Sequence, residues 1–173
     1  MNDPRYPIGK LQQLGPLSTA ARRTAIARIA ALPAQLHDAV RGLDGERLDT
    51  PYRRGGWSLR QVVHHVADSH TNAYVRMKLT VSEREPVLQS YDENAWANAA
   101  DAALPIGDSL LLVQALHARL AAFLASLPEA AFARRARHSD DGPRTLDDLV
   151  AIYGWHGAHH VAHITSLRAA KGW

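Results

Sequence analysis

Residues 145–170 read TLDDLVAIYGWHGAHHVAHITSLRAA. Leu146, Leu149, Tyr153, Ile164 and Leu167 recur on one side of a 3.6-residue repeat, the mark of a helix with an apolar face turned to a core. Thr145 stands where a helix cap belongs, and Asp148 lies three positions on, so the helix starts there and runs to about Ala170. Four histidines fall within residues 156–163 of this helix. Side chains four apart share a helix face. His160 therefore lies inside the apolar stripe and His156 at its edge, one turn earlier. His159 and His163 repeat the spacing. His159 points well away from the stripe, and His163, near the edge, suits a group that supports a ligand.

Working outward, the same helical pattern covers most of the chain. Ser18 or Thr19 caps a helix reaching about Arg41, with Pro33 expected to kink or split it. A Gly- and Pro-containing connector, 42–57, precedes Ser58, which with Gln61 makes a second capping-box signature and opens a helix to about Val81. Residues 83–107 lack a long period and have room for a short helix near Glu93–Ala100. A further helix follows Asp108, the expected cap, to about Leu127, and 128–144 is another connector. No alternating strand pattern of any length is visible. Four long helices with substantial connectors predict an all-α four-helix bundle, one domain over residues 1–173, in which connector length allows a topology other than simple up-and-down.

Composition narrows the function. The chain has 173 residues, 46% of them hydrophobic, and no cysteine, which excludes disulfides, thiolate metal sites and a cysteine nucleophile. The net charge is only +3 and arginines are scattered. The densest basic piece, RRAR at 134–137, falls short of a nucleic-acid-binding stripe. The start, MNDPRYPIGK, lacks a signal-peptide core, and no stretch approaches the ~18 apolar residues of a membrane span. The expectation is a cytoplasmic protein acting on a small molecule, with neither nucleic acid nor membrane as partner.

The helix opened by Ser58 carries three more histidines in QVVHHVADSH, 61–70. Its stripe runs through Leu59, Val62, Val63, Val66, Ala73 and Met77. His70 sits nearest the centre, His65 on one flank and His64 on the other. Periodicity alone does not select His65, and a histidine near an apolar face is more often a hydrogen-bonded core residue than a ligand. For the later pair, two imidazoles four apart can grip one metal ion without bending the helix. The zinc-protease pattern H-E-x-x-H is absent, because Gly157 occupies the position of its glutamate base.

These residues lie in blocks that resemble the DinB/YfiT superfamily, and within it the YfiT-type metal-dependent hydrolases. The blocks are RYPIG, TPYRRGGWSLRQVVHHVADSH, YDENAW, YGWHGAHHVAHITSLR and the terminal GW, so the similarity covers nearly the whole chain. The resemblance implies a four-helix bundle, often a homodimer, with one divalent transition metal per chain, zinc or nickel foremost, held by three histidines. Block by block, the ligand of the second helix corresponds to His65 and those of the last helix to His156 and His160. His70 remains the fallback ligand.

Three protein ligands with an open position mark a catalytic rather than a structural site. Neutral imidazoles leave the ion its full charge, which lowers the pKa of a bound water toward ~7. Asp68, one turn after His65, is a candidate base or a group orienting an imidazole. Asn72, Asp92 and Glu93 are within plausible reach, Trp57 and Trp155 could line a mouth, and Arg168 suits a helix C-terminus. None earns a catalytic role from sequence. Three functions follow in order: a metal-dependent hydrolase, a transferase using a low-molecular-weight thiol cosubstrate, and a non-catalytic metal-binding stress protein.

Overall fold

The structure is a computed structural model that describes residues 3–11 and 14–173. Four long helices form the bundle: α1 (Thr19–Val40), α3 (Leu59–Ser82), α5 (Gly107–Ala125) and α6 (Leu146–Lys171). Two short helices, α2 (Gly45–Leu48) and α4 (Glu93–Ala97), sit in the connectors. The predicted four-helix bundle is the observed fold.

Local chemistry sets the ends of the two histidine helices. Ser58 Oγ accepts from Gln61 N at 3.2 Å while Gln61 Oε1 accepts from Ser58 N at 2.9 Å. Thr145 Oγ1 accepts from Asp148 N at 3.1 Å while Asp148 Oδ2 accepts from Thr145 N at 2.8 Å. Both boxes satisfy amide donors that a helix start leaves open. Asp108 is not the cap of α5. The cap position is Ile106, without a side-chain bond, and Asp108 lies in the first turn, where its charge favours the helix dipole. Pro33 does not split α1, which continues to Val40.

Packing runs between α1 and α6, α1 and α5, α3 and α5, and α3 and α6. Consecutive long helices α1 and α3 thus face each other across a diagonal, as do α5 and α6. This is the departure from simple up-and-down order that the connectors allowed. Those connectors also hold a small sheet that hydrophobic patterning did not reveal. β1 (Val87–Leu88) pairs in parallel with β2 (Arg135–His138), which pairs antiparallel with β3 (Gly142–Thr145). Strands of two to four residues are too short to display a period.

A buried ion pair ties the start of α1 to the start of α6. Arg22 Nε and Nη2 reach Asp147 Oδ1 and Oδ2 at 2.6 and 2.9 Å. Asp147 Oδ2 also accepts from Leu17 N at 3.0 Å. At the other end, Arg168 stands in the last turn of α6, where its charge favours the helix dipole, and it also reaches α1. Its Nη1 donates to the carbonyl of Ala39 at 2.7 Å and to that of Arg41 at 3.1 Å, closing the C-terminus of α1.

The apolar core is two clusters rather than one. Ile29, Met77, Leu88, Leu120, Leu124, Leu146 and Tyr153 belong to one. Leu32, Leu36, Leu59, Val62, Val66, Val113 and Ile164 belong to the other. His117 on α5, His70 on α3, and His156 and His160 on α6 form a row of neighbouring imidazoles, all buried except the half-buried His156. The fold also corrects one expectation. The 19 residues of α5 are apolar and long enough to cross a membrane, although here the helix packs against α1 and α3.

Candidate metal centre

Two glycines seat α6 on α1. A Cβ at Gly154 would lie 3.1 Å from that of Ala25, and one at Gly157 would lie 2.5 Å from Leu32 Cδ2. Gly157 is therefore a close-packing position that faces α1, with no room for a glutamate. With that side of α6 against α1, His156 and His160 turn toward α3 and meet His65.

One nitrogen from each of His65, His156 and His160 lies within 4.8 Å of the other two. His65 Nε2 and His156 Nε2 are 3.3 Å apart. That separation matches roughly the 3.3–3.4 Å between two nitrogens bound ~2.0–2.1 Å from one tetrahedral ion. His65 and His160 are 3% and 7% exposed. Burial is the first cause that pushes their pKa values down, His65 to about 4 and His156 and His160 well below the usual imidazole range, with neighbouring histidines adding to it. All three are neutral near pH 7, the form that ligates metal. Donor type, spacing and protonation all fit a borderline divalent ion.

The cluster floors a cavity of about 410 Å³. Trp57 packs against the His65 ring at 4.6 Å, and Trp155 stacks on His159 at 4.3 Å. Tyr52 stacks on His163 at 4.1 Å, and the carbonyl of Arg5 lies 3.3 Å from His163 Nε2. His159, expected to point away, is buried at the cavity wall because Trp155 and the N-terminal segment cover it. No local periodicity reports that cover.

The other candidates divide. His70 is fully buried, and its Nε2 lies 3.1 Å from Nδ1 of His156, so it addresses the far nitrogen of that ring rather than the cluster. His64 bonds Ser109 Oγ and the carbonyl of Leu104 and pins the start of α5. Asp68 lines neither cavity beside the cluster. Burial raises its carboxyl, followed by the Asp101 charge. Asn72 is spent on the carbonyl of Asp68. Asp92 caps α4 through Ala95 N. That cap places Glu93 between the first cavity and a second of about 480 Å³, and His156 also lines both. Desolvation pushes the Glu93 carboxyl up, with Arg76 pulling it back. His117, a single histidine without a spaced partner, carries no signal in the sequence.

A model of the DinB superfamily matches residues 28–164. The chain is 44% identical, over all of both lengths, to proteins of Bacillus cereus and Bacillus anthracis that carry the name "Putative metal-dependent hydrolase". It superposes on the solved structure of YfiT from Bacillus subtilis with a TM-score of 0.94 and 41% identity, covering 98% of each chain. That protein is described as "a probable metal-dependent hydrolase with an unusual four-helix bundle topology". The chain belongs to the DinB superfamily.

Proposed function

We propose that this member of the DinB superfamily is a metal-dependent hydrolase of a small-molecule substrate, with His65, His156 and His160 holding one divalent transition metal, zinc or nickel, per chain. The observation that carries this reading is the convergence of three neutral imidazoles, two buried and one half-buried, from two helices beside an open cavity. When bound, such an ion supplies Lewis-acid polarisation and water of lowered pKa.

The protein's own groups do the rest. Trp57 and Trp155 line the cavity beside the cluster and give a substrate apolar surface to pack on. Glu93 is the carboxyl that lines the cavity, and desolvation pushes its pKa up, the direction that favours a carboxyl handling a proton. Its isostere Glu93→Gln should lower turnover about 10²–10⁴-fold while metal content stays constant.

Elemental analysis of untagged protein is the first test. About one ion per chain should be present, and His65→Ala, His156→Ala and His160→Ala should each lose it while remaining helical. Metal-dependent cleavage of activated esters or amides should then vanish in the same variants. Wild type without bound metal would sink the reading. Metal-dependent coupling of a low-molecular-weight thiol to monochlorobimane, without hydrolysis, would replace it with thiol transfer.

The working unit in this proposal is a homodimer. Leu111 and Leu112 are 64% and 45% exposed on α5, only 22% of which is buried. An apolar helix face left open in this way is a candidate contact between copies. Light scattering should give twice the 19.0 kDa chain mass. Leu111→Glu with Leu112→Glu should give the monomer, and a monomeric wild type would remove the dimer.

A further inference from the structure

We infer that Arg76 determines substrate specificity: its guanidinium binds a carboxylate of the substrate in the second cavity, beside the metal centre. The substrate class narrows to small molecules that carry a carboxylate as well as the group to be cleaved. The cleavage half of this statement rests on the proposed metal centre; the binding of the carboxylate does not.

Arg76 stands on α3 and is 9% exposed. A guanidinium is always charged, and a buried charge is costly unless an opposite charge meets it. Arg22 shows how this chain meets that demand elsewhere. It is buried to a similar degree, at 7% exposed, and Asp147 and Glu129 both pair with it. Arg76 has no carboxylate partner among the described residues. Its Nη1 donates to the Tyr153 hydroxyl at 3.1 Å and its Nη2 to the carbonyl of Gln89, two neutral acceptors for a group with five N–H donors. Its Nε is buried with no acceptor at all. The two neutral bonds fix where the guanidinium sits and leave its charge unbalanced.

The space in front of Arg76 suits the missing anion. Arg76, Tyr153 and Ser69 are buried residues that line the cavity of about 480 Å³, so they form its inner end. The other basic side chains there are already engaged, since Asp141 lies 3.4 Å from Arg144 Nη2 and 3.5 Å from His138 Nδ1. Asp92, Glu93, Asp140 and Asp141 stand at the exposed rim. The cavity is thus positive at its inner end and acidic at its mouth. That order favours a single carboxylate over a phosphate dianion, which would bring twice the charge past the acidic rim.

Position ties this cavity to the chemistry. His156 lines both cavities, and the ring of Tyr153, whose hydroxyl accepts from Arg76, lies 5.8 Å from the His156 ring. One tyrosine side chain separates the guanidinium from a proposed metal ligand. A carboxylate seated on Arg76 leaves the rest of a small molecule to extend toward the cluster, and a charge-assisted bond at that end fixes its orientation.

The first test needs neither metal nor turnover. The full wild-type chain, metal-free and labelled with ¹⁵N-arginine, is titrated with acetate while the assigned Arg76 Nε–H signal is followed by NMR. Acetate should move that signal saturably. Chloride at equal ionic strength should leave it in place, and inorganic phosphate should move it less. No response to acetate, or a stronger response to phosphate, would overturn the assignment. The second test compares mono-para-nitrophenyl glutarate, which has a free carboxylate, with para-nitrophenyl acetate on the metal-loaded protein. Arg76→Gln retains an amide donor for the Gln89 carbonyl and should lower the ratio of kcat/KM for the anionic over the neutral ester about 10–100-fold, as loss of a charged hydrogen bond does. An unchanged ratio in a variant of wild-type helicity would overturn the assignment; if the variant does not fold, the wild-type titration decides. Should wild type cleave neither ester while Arg76 answers acetate, the hydrolase reading falls and the carboxylate site stands. Hydrolysis with a silent Arg76 signal gives the reverse.

Discussion

Gly157→Ala isolates the close approach on which the histidine cluster depends. The added Cβ would meet Leu32 Cδ2 at 2.5 Å, Cδ1 at 2.9 Å and Cγ at 3.1 Å. Leu32 is 1% exposed within its core cluster, so any shift of its side chain is made against packed neighbours. Overpacking of this kind costs about 1–3 kcal/mol. Against it stands the helix preference of alanine over glycine, about 1 kcal/mol. Three contacts inside 3.2 Å favour the upper part of the cost, so a net loss of about 1–2 kcal/mol is expected. Chemical denaturation of the metal-free protein measures it. Gly107→Ala is the control, since a Cβ there meets nothing within 4 Å. Leu32→Val should cost about 1 kcal/mol alone, and the double variant should lose less than the sum by at least about 0.5 kcal/mol, because the shorter side chain makes room. Zinc affinity should fall with Gly157→Ala, since His156 and His160 flank the displaced segment. A Gly157→Ala protein stabilised by about 1 kcal/mol, additive with Leu32→Val, would refute the close-packing account.

Acid should destabilise the metal-free protein. His65 and His159 have folded pKa values near 4, against about 6.5 when unfolded, so the unfolded state binds more protons between those values. Their contribution is present above about pH 6.5 and is lost as pH falls toward 4, at up to about 1.4 kcal/mol per pH unit for each ring. A urea midpoint that stays flat from pH 7 to 5 would contradict this. Asp147→Ala removes the bidentate partner of the buried Arg22, which keeps only Glu129 through Nη1, and should cost about 3 kcal/mol by chemical denaturation, the lower end for a broken buried pair. A loss under 1 kcal/mol would mean that the pair is solvated in solution. Arg168→Leu, which removes the donor to the carbonyls of Ala39 and Arg41, should speed amide exchange over the last turn of α1 while leaving the middle of α6 protected.

The parts of this molecule that sequence discloses are those decided within one or two helical turns. The capping boxes at Ser58 and Thr145 are local, and so is the pairing of His156 with His160. The bundle follows from them and from the apolar stripes. His65 is a different case. The stripe on α3 marks the arc occupied by apolar residues, but the buried arc is wider. It takes in His65, Ser69, His70 and Arg76, because α5 and α6 flank the helix and α4 packs on it. A polar residue inside a buried arc subtracts itself from the pattern that would reveal it. Gly157 shows the same limit from the other side. Read along the chain, it is a missing glutamate; read in three dimensions, it is the surface on which α1 rests. His117 is the extreme case, since its acceptor exists only because a proline 84 positions earlier in the sequence withholds an amide. The expectation that Pro33 would kink or split α1 looked for its effect in the helix that contains it, which runs on to Val40. Its effect lies instead in the carbonyl that it frees, and that carbonyl is satisfied from across the bundle by the His117 imidazole.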